Sequence, residues 1–290
     1  CQSLTFVGSA NPILYCNAEP IFIDSETETW NMCPLLLEKA INDSLKINKK
    51  PKAIILVHLY GMPAKINEIK EISKKYDIPL IEDAAEALGS NYDGIPLGTI
   101  GDFGVLSFNG NKIITTSGGG ALISSSFEHS KKAKFLSSQA KENTIHYQHK
   151  EIGYNYRISN VLAAIGLGQI EQIDKKIKIR RKNFSLYKKY LNNIEEISFL
   201  EEPLNFYSNR WITTILVSSQ NGFCKEKIIR KLRENKIESR PIWKPMHLQP
   251  LYKQYKFYNN NSSEKLFNLG LCLPSGTTLT EEQISKISQI

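Results

Sequence analysis

A lysine followed by a buried-looking apolar pair and a run of glycines is the most chemically suggestive segment of this sequence. Lys112 precedes residues 113–114, both isoleucine, and glycines fill positions 118–120. We expect the lysine to lie where a buried strand begins, and burial favours its neutral, nucleophilic amine. Ser107 and Asn109 offer a hydroxyl and an amide that suit a phosphate. A lone lysine is more often a solvated loop residue, so a catalytic role needs support from elsewhere in the chain.

That support comes from Asp83, which ends the strand-like segment Leu80–Asp83. Ligands of open α/β sheets bind at the carboxyl ends of strands, and Ala84 and Ala85 leave room there for a flat molecule. A carboxylate at this point could instead cap a helix. A lysine and a carboxylate that face one crevice suit pyridoxal phosphate (PLP). The amine can form a Schiff base with it, and the carboxylate can pair with its pyridinium nitrogen.

Alternating strand-like and helix-like segments must position these two residues. They predict a doubly wound α/β fold over residues 1–191 and a smaller α+β domain over residues 192–290. We expect one long helix over residues 159–191, with a buried apolar first half and an exposed basic second half, and a polar surface segment over residues 128–150. The other predicted strands cover residues 18–24, 53–58, 101–108, 121–124, 211–218 and 237–243, and the other helices cover residues 34–41, 65–76 and 225–235.

Composition excludes several other classes of protein. The 290 residues contain no apolar run of the ~18 residues that a membrane span needs. The net charge of +8 comes from dispersed lysines rather than from a basic stripe with aromatic residues, so we expect no nucleic-acid partner. Five widely spaced cysteines form no CxxC pair, which argues against a zinc site and a disulfide framework and favours the cytoplasm.

Four blocks of sequence, in order, resemble the DegT/DnrJ/EryC1/StrS sugar aminotransferases. The sequences of residues 109–112, 118–120 and 274–277 resemble those of a group of bacterial enzymes. These enzymes aminate C4 of UDP-2-acetamido-2,6-dideoxy-4-ketohexose on the way to bacillosamine. The resemblance implies fold type I, PLP as cofactor, an amino donor such as L-glutamate, and a homodimer with shared active sites. The four blocks are residues 82–90, 107–112, 153–157 and 240–247.

The resemblance also implies roles for individual residues around the cofactor. Lys112 would bind PLP and move a proton between cofactor and sugar, and Asp83 would keep the pyridine nitrogen protonated. Phe6 would stack on the ring, and Ser107 would hold the phosphate. Glu86 stands where many relatives have Gln, beside the phenolic oxygen of the cofactor. A carboxylate there is unfavourable unless it is protonated or turned away.

Three further residues would complete the site. The resemblance implies that Asn155 reaches the phosphate of the partner subunit's cofactor, and that Arg157 and His247 contact the nucleotide-sugar. In isolation each has a structural interpretation, with Asn155 and Arg157 at a helix entry and His247 as a hydrogen-bonded surface histidine.

The start of the chain departs from the family pattern. Relatives carry a Gly-Thr or Ser-Ala-Thr segment upstream of the Phe6 position, which opens a helix that binds the cofactor phosphate. This sequence begins after that segment. We therefore expect it to be a piece of a longer protein. We expect the piece by itself to bind PLP poorly, to fold poorly, or both.

Other functions stay open at this point. A sugar dehydratase of the same family would carry His in place of Lys112. The nucleotide or the keto position of the sugar could differ, as in a GDP-linked or a 3-keto substrate. A third alternative is a catalytically idle homologue that binds a nucleotide-sugar.

Overall fold

The computed structural model of the chain describes residues 1–218 and 224–290. The helices of this part are α1 (Asn11–Tyr15), α2 (Pro34–Lys46), α3 (Ile66–Tyr76), α4 (Phe127–Ser137), α5 (Asn160–Ile170), α6 (Ile173–Leu191), α7 (Lys225–Glu234), α8 (Ser262–Leu269) and α9 (Glu281–Gln289). The strands are β1 (Phe22–Ile23), β2 (Ile54–Val57), β3 (Leu80–Asp83), β4 (Asn91–Tyr92), β5 (Ile95–Pro96), β6 (Phe103–Ser107), β7 (Gly120–Ile123), β8 (Ile197–Phe199), β9 (Phe206–Tyr207), β10 (Thr213–Val217), β11 (Arg240–Pro241), β12 (Phe257–Tyr258) and β13 (Gly270–Leu273).

A four-stranded sheet in the order β2-β3-β6-β7 carries the chemistry-bearing segments. The first three strands are parallel, and β7 is antiparallel to β6. Asp83 is in register with Val57 on one side and Val105 on the other. The carboxyl ends of β2, β3 and β6 therefore meet at one edge of the sheet, which confirms the predicted mostly parallel α/β architecture.

Helices α2 and α3 cover this sheet because their apolar residues recur at helical spacing. Leu37 and Ile41 of α2 and Ile69 of α3 are buried in one core with Leu56 and other strand residues. Helix α2 begins with a proline, whose fixed φ suits the first helical position. Helix α3 ends at Tyr76, and the next residue, Asp77, adopts the left-handed conformation at φ 48°.

A second, antiparallel sheet in the order β11-β13-β10-β8 lies in the C-terminal part of the chain. Its core includes residues of β10 and β13 together with the end of α6 and with α9. Two small sheets link early and late segments, since β1 pairs with β12 and β4 pairs with β9. The domain boundary after residue 191 stays a prediction.

The prediction of one long helix over residues 159–191 is wrong in two respects. It is two helices, and the burial is reversed: α5 has no buried residue, whereas α6 buries Ile177, Phe184, Tyr187 and Leu191. Helix α6 is amphipathic, so its apolar stripe packs inward while the lysines extend into solvent. The surface segment predicted over residues 128–150 includes a helix that the sequence analysis missed, α4, and this helix buries none of its residues.

Among residues 1–218 and 224–290, each helix is too short or too polar to cross a bilayer.

Candidate active site

Five of the predicted site residues line one cavity of about 350 Å³ at the carboxyl ends of β3 and β6. They are Phe6, Asp83, Glu86, Ser107 and Lys112. They come from three separate segments of the chain, which only the folded sheet brings together. The cavity thus holds an amine, two carboxyl groups, an aromatic ring and a hydroxyl.

Asp83 is the last residue of β3, and two donors fix its carboxylate. The Ser9 hydroxyl donates to Oδ2 at 2.6 Å, and the Ala85 N–H donates to Oδ1 at 3.1 Å. Ala84 has no exposed surface, so the chain turns inward directly after the carboxylate. The two hydrogen bonds fix the orientation of the carboxylate and leave further lone pairs free to accept from a neighbouring ring N–H.

Lys112 lies in the loop between β6 and β7, so the prediction that it begins a strand is wrong. The buried residues Ile113 and Ile114 anchor this loop. The Lys112 Nζ is 4.2 Å from the ring centroid of Trp211 and 3.8 Å from Glu86 Oε1. The Lys112 side chain is 12% exposed. The amine is therefore held inside the cavity by an aromatic face and a carboxyl group.

Glu86 is buried beside this amine. The Tyr60 N–H donates to its Oε2 at 2.6 Å. Burial raises the pKa of Glu86 to about 7, against the opposing effects of the Lys112 charge and the Tyr60 hydrogen bond. The neutral acid and the carboxylate are therefore both populated near pH 7. The neutral form removes the repulsion that the sequence analysis foresaw between a carboxylate and a phenolic oxyanion.

Two tryptophans that the sequence analysis did not single out complete the cavity wall. The Trp243 ring lies 5.5 Å from the ring of Phe6, centroid to centroid. The indole N–H of Trp211 donates to the Asn111 carbonyl at 2.8 Å, which ties it to the lysine loop. Trp243 belongs to one of the sequence blocks quoted above, but no local pattern connects Trp211 to Lys112, 99 positions earlier.

Three predicted residues lie outside this cavity. Asn155 and Arg157 are exposed. Both ring nitrogens of His247 have hydrogen-bond partners. The Ser3 hydroxyl lies 2.7 Å from Nδ1, and a carboxylate oxygen of Glu264 lies 3.1 Å from Nε2. Within this chain the structure therefore does not bring His247 to the cavity. Its hydrogen bonds agree with the structural interpretation, but its side chain is only 8% exposed and so does not lie at the surface.

The cavity residues fit PLP. Lys112 offers the amine for its aldehyde, and Asp83 offers a carboxyl group for its ring nitrogen. Phe6 is half exposed toward the cavity and offers a face for the ring. Ser107 and Asn109 offer polar groups for the phosphate, and the two residues are linked by a hydrogen bond from the Asn109 N–H to the Ser107 hydroxyl at 3.4 Å.

The chain is similar to several proteins of known or assigned activity. EpsN of Bacillus subtilis strain 168, described as a pyridoxal phosphate-dependent aminotransferase, is 48% identical over 100% of this chain and 75% of its own length. GDP-perosamine synthase of Escherichia coli O157:H7 is 37% identical over 99% of this chain and 76% of its own. UDP-4-amino-4,6-dideoxy-N-acetyl-beta-L-altrosamine transaminase of Campylobacter jejuni is 33% identical over 87% of this chain and 66% of its own.

A solved structure and a family model agree with these similarities. The crystal structure of a DegT DnrJ EryC1 StrS aminotransferase from Brucella abortus superposes with a TM-score of 0.91 at 29% identity, over 99% of this chain and 76% of that one. This likeness confirms the predicted fold. The model of the DegT/DnrJ/EryC1/StrS aminotransferase family matches residues 1–290. The chain therefore belongs to the DegT/DnrJ/EryC1/StrS family of sugar aminotransferases, whose cofactor is pyridoxal phosphate.

Proposed function

We propose that the protein transfers an amino group from L-glutamate to C4 of UDP-2-acetamido-2,6-dideoxy-4-ketohexose, a step in the synthesis of a surface or protein glycan. The observation that carries the proposal is the convergence of Lys112 and Asp83 on one cavity. Support for a UDP-linked sugar comes from the sequence blocks quoted above and from the similarity to a UDP-amino-sugar transaminase.

The residues of the cavity have distinct tasks in this proposal. PLP, when bound, supplies an aldehyde for the amine and a ring that withdraws electrons from the reacting carbon. Lys112 binds the aldehyde and carries the proton to and from the carbon that gains or loses nitrogen. Asp83 holds the proton on the ring nitrogen, and Phe6 covers one ring face. Ser107 binds the phosphate, and Glu86 lies beside the ring oxygen.

A larger cleft supports a bulky anionic substrate. It measures about 890 Å³ and shares Asn111, Trp211 and Trp243 with the cofactor cavity. Arg180 and Lys286 also line it. A diphosphate carries negative charge that such side chains attract, so we assign the nucleotide part of the substrate to this cleft.

We also propose that the protein works as a homodimer in the cytoplasm. Asn155 and Arg157 are exposed beside helix α5, which is apolar and exposed along its length. An exposed apolar surface of this kind is typical of a protein interface. In a dimer these two residues would serve the partner's site. The cysteines, all free in this chain, accord with a reducing compartment.

A GDP-linked 4-keto sugar is the second candidate substrate. The specific observation in its favour is the 37% identity to a GDP-perosamine synthase, which exceeds the 33% identity to the UDP-amino-sugar transaminase. The choice between the two nucleotides is made by assay.

The test uses the full-length protein with PLP, L-glutamate and either UDP- or GDP-linked 4-keto sugar, and measures amino sugar and 2-oxoglutarate. We expect turnover with the UDP-sugar. Turnover with the GDP-sugar alone would replace the first candidate by the second. Turnover with neither, in protein that holds PLP, would contradict both.

Lys112→Ala is the variant that tests the mechanism. We expect it to lose turnover entirely, whereas Lys75→Ala, which removes an exposed lysine paired with Glu38, should keep it. Borohydride reduction of the wild-type protein should fix a pyridoxyl group on Lys112, read by peptide mass spectrometry. Normal turnover in Lys112→Ala would end the proposal.

A further inference from the structure

A chain of two buried hydroxyls ends on Asp83. The Ser9 Oγ lies 2.6 Å from Asp83 Oδ2, and the Thr5 Oγ1 lies 2.9 Å from the Ser9 Oγ. Thr5 is 1% exposed and Ser9 is 5% exposed. No residue type or spacing in the sequence pointed to either hydroxyl, and the proposed function assigns them no task.

The direction of the hydrogen bonds follows from the carboxylate. An ionised carboxylate only accepts, so the single hydroxyl proton of Ser9 goes to Asp83. Ser9 then has only lone pairs to offer to Thr5, so the Thr5 hydroxyl donates to Ser9. The relay therefore runs from Thr5 through Ser9 to Asp83, with each proton committed to the next oxygen.

The same turn of the chain presents Phe6. This residue lies between the two hydroxyl residues in sequence, and the turn is closed by a hydrogen bond from the Ser9 N–H to the Phe6 carbonyl at 3.2 Å. Gly8 makes the turn compatible with the aromatic ring, since a Cβ at this position would lie 3.2 Å from Phe6 Cδ1. One short segment thus fixes both the aromatic face and the orientation of the carboxylate.

We propose that Thr5 and Ser9 are positioning residues for Asp83, which keep its carboxylate aimed at the ring nitrogen of the cofactor. The inference rests on the role proposed for Asp83 above. Neither hydroxyl need touch the substrate. Their effect passes through one carboxylate oxygen, while the Ala85 N–H holds the other.

The experiment compares PLP binding and ring protonation in the full-length wild type and three variants. Ser9→Ala should weaken PLP binding about tenfold, the loss expected for one hydrogen bond to a charged group. Thr5→Val, which keeps the side-chain volume, should have a smaller effect in the same direction. Ser9→Thr keeps the hydroxyl and should restore wild-type affinity. With ¹⁵N-labelled PLP, the NMR shift of the ring nitrogen should move toward the unprotonated form in Ser9→Ala and Thr5→Val.

Ser73→Ala is the matched control. It removes a buried hydroxyl that donates to the Ile78 carbonyl at 2.7 Å, away from the cavity, and it should leave both readouts unchanged. Wild-type affinity and an unshifted ring nitrogen in Ser9→Ala would overturn the relay while leaving the proposed function intact. If Ser9→Ala does not fold, the same result in Thr5→Val would overturn it. Failure of the wild type to hold PLP would overturn both the function and the relay.

Discussion

At the scale of single residues, the cavity is organised around one amine and two carboxyl groups in different states. Asp83 receives hydrogen bonds from Ser9 and Ala85, which orient its carboxylate. Glu86 is buried, and its pKa is raised to about 7. The two acidic residues, three positions apart, thus meet different surroundings. Asp83 is oriented to pair with a ring nitrogen, and the raised pKa of Glu86 lets its neutral form donate a hydrogen bond.

The raised pKa of Glu86 predicts a pH-dependent loss of stability in the protein without PLP. Between its ordinary value of 4.5 and about 7, the unfolded chain releases the Glu86 proton while the folded chain retains it. Stability therefore falls as pH rises through this window, by about 3 kcal/mol in total. Glu86→Gln cannot titrate and should lose this slope.

Urea unfolding at a series of pH values measures the effect. The exposed Glu68 provides a control, because Glu68→Gln should keep the wild-type slope. Equal slopes in the wild type and Glu86→Gln would show that burial does not perturb the Glu86 carboxyl.

At the scale of elements, the site depends on how the end of β3 is held. The buried carboxylate of Glu82 accepts from the N–H groups of Gly98, Ile100 and Gly101, and His58 Nε2 lies 3.0 Å away. Since the Ala64 N–H donates to Nδ1 of His58, the imidazole carries its proton on Nε2 and donates it to Glu82. This arrangement ties β2, β3 and the approach to β6 together, one residue before Asp83.

Glu82→Gln should therefore destabilise the protein. The amide nitrogen of Gln cannot accept, so it leaves buried donors unpaired and costs about 3 kcal/mol, measured by urea unfolding. Glu71→Gln, on an exposed position of α3, should change stability by less than about 0.5 kcal/mol. Similar losses in the two variants would contradict the role of Glu82.

Gly104, the second residue of β6, must be a glycine because the backbone of Gly98 passes close to it. A Cβ there would lie 1.8 Å from the Gly98 carbonyl oxygen, which is backbone and cannot rotate away. Gly104→Ala should cost about 2 kcal/mol or more in unfolding free energy. Gly118→Ala places a Cβ in open space outside the helices and should change the unfolding free energy by less than about 0.5 kcal/mol. A neutral Gly104→Ala would show that β6 can shift away from residue 98.

At the scale of the whole molecule, helix α5 presents an exposed apolar surface in the described part of this chain. Val161 is 71% exposed and Leu167 is 65% exposed. Exposing such side chains to water is unfavourable, so we expect a second copy of the chain to cover them.

Leu167→Asp tests this interface. A buried charge without a partner would weaken a dimer at least about tenfold, seen in the dissociation constant from sedimentation equilibrium. Leu35→Asp is the matched control, because Leu35 is 79% exposed on α2, and this variant should dimerise like the wild type. A monomeric wild type would contradict the dimer.

The sequence alone determined the strand–helix alternation and the exact limits of β3, and it predicted Asp83 and Lys112 as the centre of the site. The alternation and the limits of β3 are local features, because the periodicity of strands and helices appears in neighbouring positions. The tertiary structure decided what depends on contacts between distant segments. It reversed the burial of α5 and α6, engaged His247 with Ser3, and placed Trp211 over Lys112. It also brought the Ser9 hydroxyl into hydrogen-bond contact with Asp83, which is 74 positions away in sequence. No local periodicity predicts such a contact.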